Sequence, residues 1–447
     1  MSRLPRVFRP WAWVPSSYLA EGIPFAMVIW VAGTMFKDLG RDDGEITLAT
    51  ASIGLAWSLK PFWAAFLDMF KTKRFFVLGT EYLMGVLLAG IALLVQMPDS
   101  FWLIIAGLWV LAFTSATQDI CVDGVYITSL DARQQASWIG IQGMAWNVGR
   151  IFATALIVWV AGALQEDVGL AARAAWSYAL MLSGAAMASL GLYHTFVLPT
   201  GSTPHRPQNT REIVDTFLDT IRDFFQKKSI WGMLIFVFLY RSGEGFLLVE
   251  APLFLQAAAQ EGGVALTLKE KGLIDGTISS IVSILGGISG GAFIARYGLR
   301  RMLFFMALCL NVPHLCFVVL SQAAASGVAP SFMTIATLVT IEKFGYSFGF
   351  VANMLYMMQQ IAPGKYHMTH YAFCTALMNL VLIPTQMASG PLADWLGYQT
   401  FFIFVMLASV PSILAAWFAP FPDPPASAEG TPSEPARVDS QLLRTGT

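Results

Sequence analysis

The stretch FWLIIAGLWVLAFTSATQDICVDGVY, Phe101 to Tyr126, decides how the chain is read. Its first half is uncharged and apolar, and its whole length exceeds the roughly 20 residues a helix needs to cross hydrocarbon. Asp119 and Asp123 stand four positions apart, on one helical face. At 1.5 Å per residue they lie roughly 27 and 33 Å along the segment, toward one membrane surface.

The rest of the 447 residues agree with that reading: 56% are hydrophobic and only 12% charged, and the mean hydropathy is +0.61. Soluble domains carry about 25% charged residues, so this composition predicts an all-α integral membrane protein. With 27 basic and 28 acidic residues there is no overall basic field, which argues against a nucleic-acid partner. The four cysteines show no zinc or disulfide spacing and read as small buried hydrophobes.

Apolar runs predict twelve transmembrane helices, near 13–36, 46–69, 75–96, 100–126, 135–163, 173–197, 229–257, 272–295, 302–323, 331–361, 367–389 and 396–418. The first is a retained span and not a cleaved signal, since Pro15 and Glu21 interrupt it and no small-residue cleavage pattern follows. With the termini on one side, that side carries 18 Lys and Arg against five on the other, which predicts cytoplasmic termini by the positive-inside rule. Residues 199–228 are expected to form a linker with an amphipathic helix along the inner surface, and 420–447 a disordered cytoplasmic tail.

The two halves, 1–198 and 229–419, repeat at an offset of about 225 positions. YLAEGIPF matches YRSGEGFLL, so Glu21-Gly22 answers Glu244-Gly245; FLDMFKTKRF matches FIARYGLRRM; Gln118-Asp119 falls opposite Glu342-Lys343. Parallel repeats of this kind predict two six-helix bundles related by a pseudo-twofold axis.

This pattern resembles the major facilitator superfamily, whose loops after the second and eighth spans carry a Gly-, Asp- and Arg/Lys-rich signature. GGAFIARYGLRR fits it, while AAFLDMFKTKR keeps the acid and the basic cluster without the glycines. The resemblance makes Asp68, Arg74, Arg300 and Arg301 a cytoplasmic gate or latch. More narrowly, SATQDICVDGVY is similar to the segment shared by AmpG-type muropeptide permeases and the acetyl-CoA transporters grouped with them, and AEGIPF, WSLKPFWAAFLD and YRSGEGF fall in the expected order. Val125 stands near where that family tends to have Trp. The resemblance implies monomeric import of a muropeptide, amino-sugar or other glycoconjugate across the inner membrane, and the carboxylates Glu21, Asp119, Glu244 and Glu342 make protons the expected driver. Sugars, siderophores and acyl-CoA stay open as alternative solutes.

Charges inside spans are costly and mark pathways or clasps. Glu21, beside Gly22 and Pro24, suits either a proton-coupling site or a polar clasp. Arg241 and Glu244, at i and i+3, form either a structural ion pair or an anion clamp with a proton acceptor. Glu342 is expected to face the pathway and Lys343 a neighbouring helix. Gln142, Asn147 and Arg150 form a polar stripe, and Lys60, before Pro61, marks a kink. Gln118 and Asp119 are expected to line the inner pathway, with Asp123 a gate partner for a cation such as Arg74.

No nucleotide-binding loop occurs, so no ATP and no cofactor is expected, and GGISGG, 286–291, reads as helix packing. His367 and His370 lack the glutamate of a zinc-protease helix and are expected to play an interfacial part, with no metal site. An enzyme using the Asp119/Asp123 pair is a competing class, weakened by the twofold repeat, which is a transporter trait; a receptor or channel is another. The expected partners are a small polar organic solute, protons and the lipid bilayer.

Overall fold

The computed structural model describes residues 9–60, 63, 67, 72–130, 132–201, 218–219, 221–326, 330–363 and 367–422. Among the described residues, twelve long helical segments follow one another: α1 (Pro10–Asp38), α2 (43–58), α3 (Lys73–Gln96), α4 (Phe101–Ser129), α5 (132–166), α6 (Ala172–Val197), α7 (Ile230–Gln256), α8 (Leu268–Tyr297), α9 (Leu299–Ala325), α10 (332–361), α11 (367–396) and α12 (398–417). Between α11 and α12 only the left-handed Gly397, φ 72°, breaks the helix, a conformation that favours glycine.

Among the described residues, nine stretches are long and apolar enough to cross a membrane, the pair α11 and α12 counting as one. Helix α10 is less apolar, with Glu342 and Lys343 in its middle, and the apolar run that begins with α2 continues beyond the described residues. Outward faces carry large apolar side chains such as Val86, Leu93, Trp102, Ile288 and Trp417. Faces of that kind suit lipid and not water.

Buried apolar side chains gather by halves. One set of clusters is drawn from α1–α6, with Leu253 and Leu268 the buried intruders from beyond, and the other from residues 224 onward. Helix α3 packs on α4 and α6, α1 on α5, α8 on α10, and α9 on α10. The halves meet through α2 against α11 and α5 against α8, pairs that exchange when six helices are added to each number.

Small residues set the closest crossings. A Cβ on Gly22 would fall on the Trp146 carbonyl and one on Gly149 on the Leu19 carbonyl, so α1 and α5 touch backbone to backbone. Gly286 and Gly290 of GGISGG approach the Phe344 and Phe348 carbonyls of α10 in the same way.

On the face away from the termini, the remote face, polar contacts join the halves. Gly44 N donates to Asp394 Oδ2 at 2.9 Å, Gly390 N to Thr47 Oγ1 at 3.2 Å and Gln256 Nε2 to the Thr34 carbonyl at 3.1 Å. Lys269 pairs with Asp167 at 2.5 Å, and the Tyr398 hydroxyl donates to Asp43. On the terminal face, Lys227 of the linker donates to the Ile361, Ala362 and Pro363 carbonyls at the end of α10, as a cation does at a helix C-terminus.

Candidate functional site

Besides a charged pocket at the remote face lined by Lys37, Asp38, Arg41 and Glu261, two charged cavities lie along the interface. The first, of about 630 Å³, runs from Phe25 and Trp57 to Lys73, Gly124 and Ile127 near the terminal face, with Thr375 and Asn379 of α11 on its far wall. Glu21, Lys60, Asp119 and Asp123 line it together.

Local irregularity puts these groups there. Helix α1 carries Pro24 one turn after Glu21 and loosens into a π-helical turn at Met27–Val31. Helix α2 tightens to 3₁₀ over Ala51–Gly54 and unwinds at Leu59 and Lys60, so the kink expected at Lys60 is an unwinding; Pro61 lies outside the described residues. Glu21 is 5% exposed, and its Oε1 has no hydrogen-bond partner. Lys60 Nζ donates to Asp119, and the Tyr18 hydroxyl donates to Asp123 Oδ1 at 2.8 Å.

One oxygen from each of Glu21, Asp119 and Asp123 lies within 4.8 Å of the others, so among the described residues this trio could hold a cation. The Lys60 ammonium already fills that part on Asp119. Three carboxylates facing two ammonium groups, Lys60 and Lys73, leave an excess of negative charge that a bound proton relieves.

The second cavity is smaller, about 140 Å³, and opposite in sign. Arg150, Lys271 and Lys343 line it, with Asp275 as the carboxylate and Tyr346, Ser279, Ser280 and Ser283 as hydroxyls. Lys271 lies 3.7 Å from Asp275 and donates to the Pro252 carbonyl; Lys343 lies 3.1 Å from Glu342. The Arg150 guanidinium sits 5.7 Å from the centre of the Trp30 ring, and its buried Nε has no partner. Here too helices are irregular: α5 has a π-helical segment at Phe152–Ile157 and α8 one at Gly272–Ile278.

Several residues fall elsewhere than the sequence reading expects. Gln118 turns away from the pathway and donates to Glu81 Oε1 at 3.0 Å in a buried network in which Glu81 also meets His194 Nδ1 at 2.8 Å. The reason is geometric, since Gln118 and Asp119 point about 100° apart on α4. The same rotation argument reverses the α10 pair: Lys343 lines the cavity, and Glu342 is buried beside it without lining it. Gln142 and Asn147 line neither cavity, because the Gly22–Gly149 crossing fixes the roll of α5; Asn147 Nδ2 donates to its own helix at Gly143 O, 2.9 Å.

Among the gate residues, Arg74 donates to the Thr195 carbonyl and not to Asp123, which takes Tyr18 instead. Arg300 and Arg301 are exposed, Arg300 lying 5.7 Å from the Phe421 ring, and Asp68 lies outside the described residues. His370 is buried 3.6 Å from Asp223; the His367 side chain is outside the described set.

Arg241 and Glu244 pair at the start of the second segment of α7, where the helix breaks at Tyr240 and Arg241. Nε donates to Oε2 at 2.7 Å, a second bond links Nη2 to Oε1, and the guanidinium covers the Phe350 ring at 4.8 Å. Neither residue lines either cavity. Lys271, Asp275, Glu81 and Glu250 were not singled out from the sequence, although acids inside apolar runs (GTEYLMG, LLVEAPL) carry the same signal that picked out Glu21.

A model of the family described as Major Facilitator Superfamily matches residues 16–341. Among curated relatives, the Rickettsia conorii protein named as transporter AmpG 4 is 23% identical over 414 residues, 88% of this chain and 92% of its own. The anhydromuropeptide permease of Escherichia coli K12 is 24% identical over 406 residues, covering 88% and 76% respectively. Among solved structures, a bacterial homologue of the human lysosomal transporter Spinster, inward-facing and unoccupied, superposes with a TM-score of 0.71 at 14% identity over 94% of this chain and 98% of that one. A D-xylose–proton symporter superposes with 0.67 at 12% identity over 91% and 97%.

Proposed function

Because the chain belongs to the major facilitator superfamily and is a membrane transporter, we propose that it imports an anionic amino-sugar–peptide conjugate of the anhydromuropeptide type, driven by protons. The observation that carries this reading is the separation of charge: an acid cluster in α1 and α4 facing Lys60 beyond α2, and a cation-lined cavity between α1, α5, α8 and α10. A carboxylate of the solute suits Arg150, whose Nε lacks a partner, with Lys271 and Lys343 beside it. Trp30, Phe25, Trp57 and Trp146 offer ring faces to sugar.

In the cycle, the halves are joined on the remote face, and the larger cavity reaches the terminal face, which we assign to the cytoplasm from the distribution of Lys and Arg. A proton on the Glu21–Asp119–Asp123 trio weakens the hold of Asp119 on Lys60. That frees α2 to shift against α4 and biases the equilibrium between the two access states. An enzyme built on Asp119 and Asp123 is disfavoured, because both carboxylates already serve as acceptors for Lys60 and Tyr18.

Proteoliposome uptake under an imposed pH gradient tests the reading. Anhydromuropeptide should accumulate against its gradient and collapse with a protonophore. If sugars, a siderophore or acetyl-CoA accumulate in its place, the solute assignment fails; if no member of that panel accumulates or competes, the whole reading does.

A further inference from the structure

The contact that closes the remote face contains an acid that neither cavity uses. Glu250, near the end of α7, is fully buried, and neither of its oxygens accepts from an N–H or a hydroxyl group. The acid that bears on it most strongly is Asp43 at the start of α2, across the boundary between the halves, where α7 packs on α2. Asp43 is itself well held: Lys37 lies 2.9 Å from Oδ1, and the Tyr398 hydroxyl donates to Oδ2.

The charges around Glu250 have been taken up by others. From α1, Lys37 serves Asp43 and Glu261; from α11, Asp394 accepts from Gly44 N at 2.9 Å; from α8, Lys271 serves Asp275 and the Pro252 carbonyl. From α12, Tyr398 gives its hydroxyl to Asp43. Two buried carboxyl groups side by side, with the neighbouring cation bound to only one, persist when they share a proton. An ionised Glu250 would face Asp43 with no donor of its own, which buried charge does not tolerate.

We propose that the closed remote gate holds a proton-binding site of its own, in which the Glu250 carboxylic acid donates to Asp43, the proton being bound when α2 and α7 close together and released when they part. Closure is then linked to one proton in addition to any bound by the Glu21 trio. The inference extends the proton-coupling reading but concerns conformation alone, so it is tested without solute and fails separately from it.

The test uses the full chain in nanodiscs, with native cysteines replaced and nitroxide labels at Asp99 and Ser326, exposed positions on the remote face of opposite halves. Double electron–electron resonance reads the closed-to-open ratio from about pH 5 to about pH 9. In the wild type, the ratio should fall as pH rises, by up to about tenfold per pH unit for one linked proton. Glu250→Gln, neutral at every pH, should stay closed and lose that proton's share of the response. The Glu21 trio is unchanged between the two proteins, so the difference between their curves belongs to Glu250. A wild-type ratio that ignores pH overturns the proposal, as does an E250Q curve that superposes on the wild type. Should E250Q fail to fold, Asp43→Asn removes the acceptor and is read in the same way: persistent closure at high pH supports the site, and a wild-type response overturns it.

Discussion

The acid cluster of α1 and α4 and the cavity between α5, α8 and α10 are both buried in the membrane-spanning body and both lie beside irregular turns of helix, yet their charges are opposite. In the first, three carboxylates meet Lys60 and Lys73; in the second, Arg150, Lys271 and Lys343 meet Asp275. The acid cluster belongs to the first half of the chain, whereas the cation cavity draws side chains from both halves. In the acid cluster the contact a proton would weaken, Lys60 to Asp119, lies inside one half. A group that must sense an anion from both sides belongs where the units meet, because its contacts then change as they move.

That contrast can be broken, beginning with the largest effect. Glu21→Gln should abolish pH-driven accumulation while solute counterflow persists, measured in the same proteoliposomes; equal loss of both would make the cluster a structural clasp. The Arg241–Glu244 pair tests whether a third charged region belongs to either side of the comparison. Glu244→Gln leaves a buried guanidinium unpaired and should lower stability by about 3–5 kcal/mol in detergent unfolding, with the conservative double replacement recovering most of it. Normal stability with lost transport would return the pair to the pathway.

Arg150→Ala should weaken solute binding by roughly ten- to a hundredfold, the usual worth of a charge-assisted hydrogen bond, and Arg150→Lys by less, since it keeps charge but not the planar fork. Unchanged affinity by calorimetry would remove Arg150 from recognition. The smallest effect is expected at Gln142→Ala and Asn147→Ala, within about 0.5 kcal/mol in stability and without change in affinity. A loss there would show that the polar stripe of α5 acts after all.

Axial position was legible in the sequence and roll about the helix axis was not. The apolar run after Phe101 and its two aspartates gave the depth of the acid cluster, and Asp119 and Asp123 do share a wall of one cavity. Periodicity fixes the angle between neighbours but not the direction of either. So Gln118 could be mistaken for a lining residue and Glu342 preferred to Lys343, each a matter of about 100°. What sets the roll is contact with another helix, as at Gly22 and Gly149, and a single chain does not announce which glycines will meet. Lys271 lies near the start of an apolar run, where sequence alone suggests a membrane surface; in the fold that start is drawn inward, and the residue is 3% exposed.

The crossing of α1 and α5 has a mechanical meaning. Glu21 adjoins Gly22 and Arg150 adjoins Gly149, so the residues we propose to receive the proton and the anion are each one step from the same fulcrum. With no side chain between them to act as a cushion, a tilt of α1 is passed to α5 without slack. Inserting a methyl at either glycine would act like grit in a hinge: both sites would keep their residues, and the two events would lose their common timing.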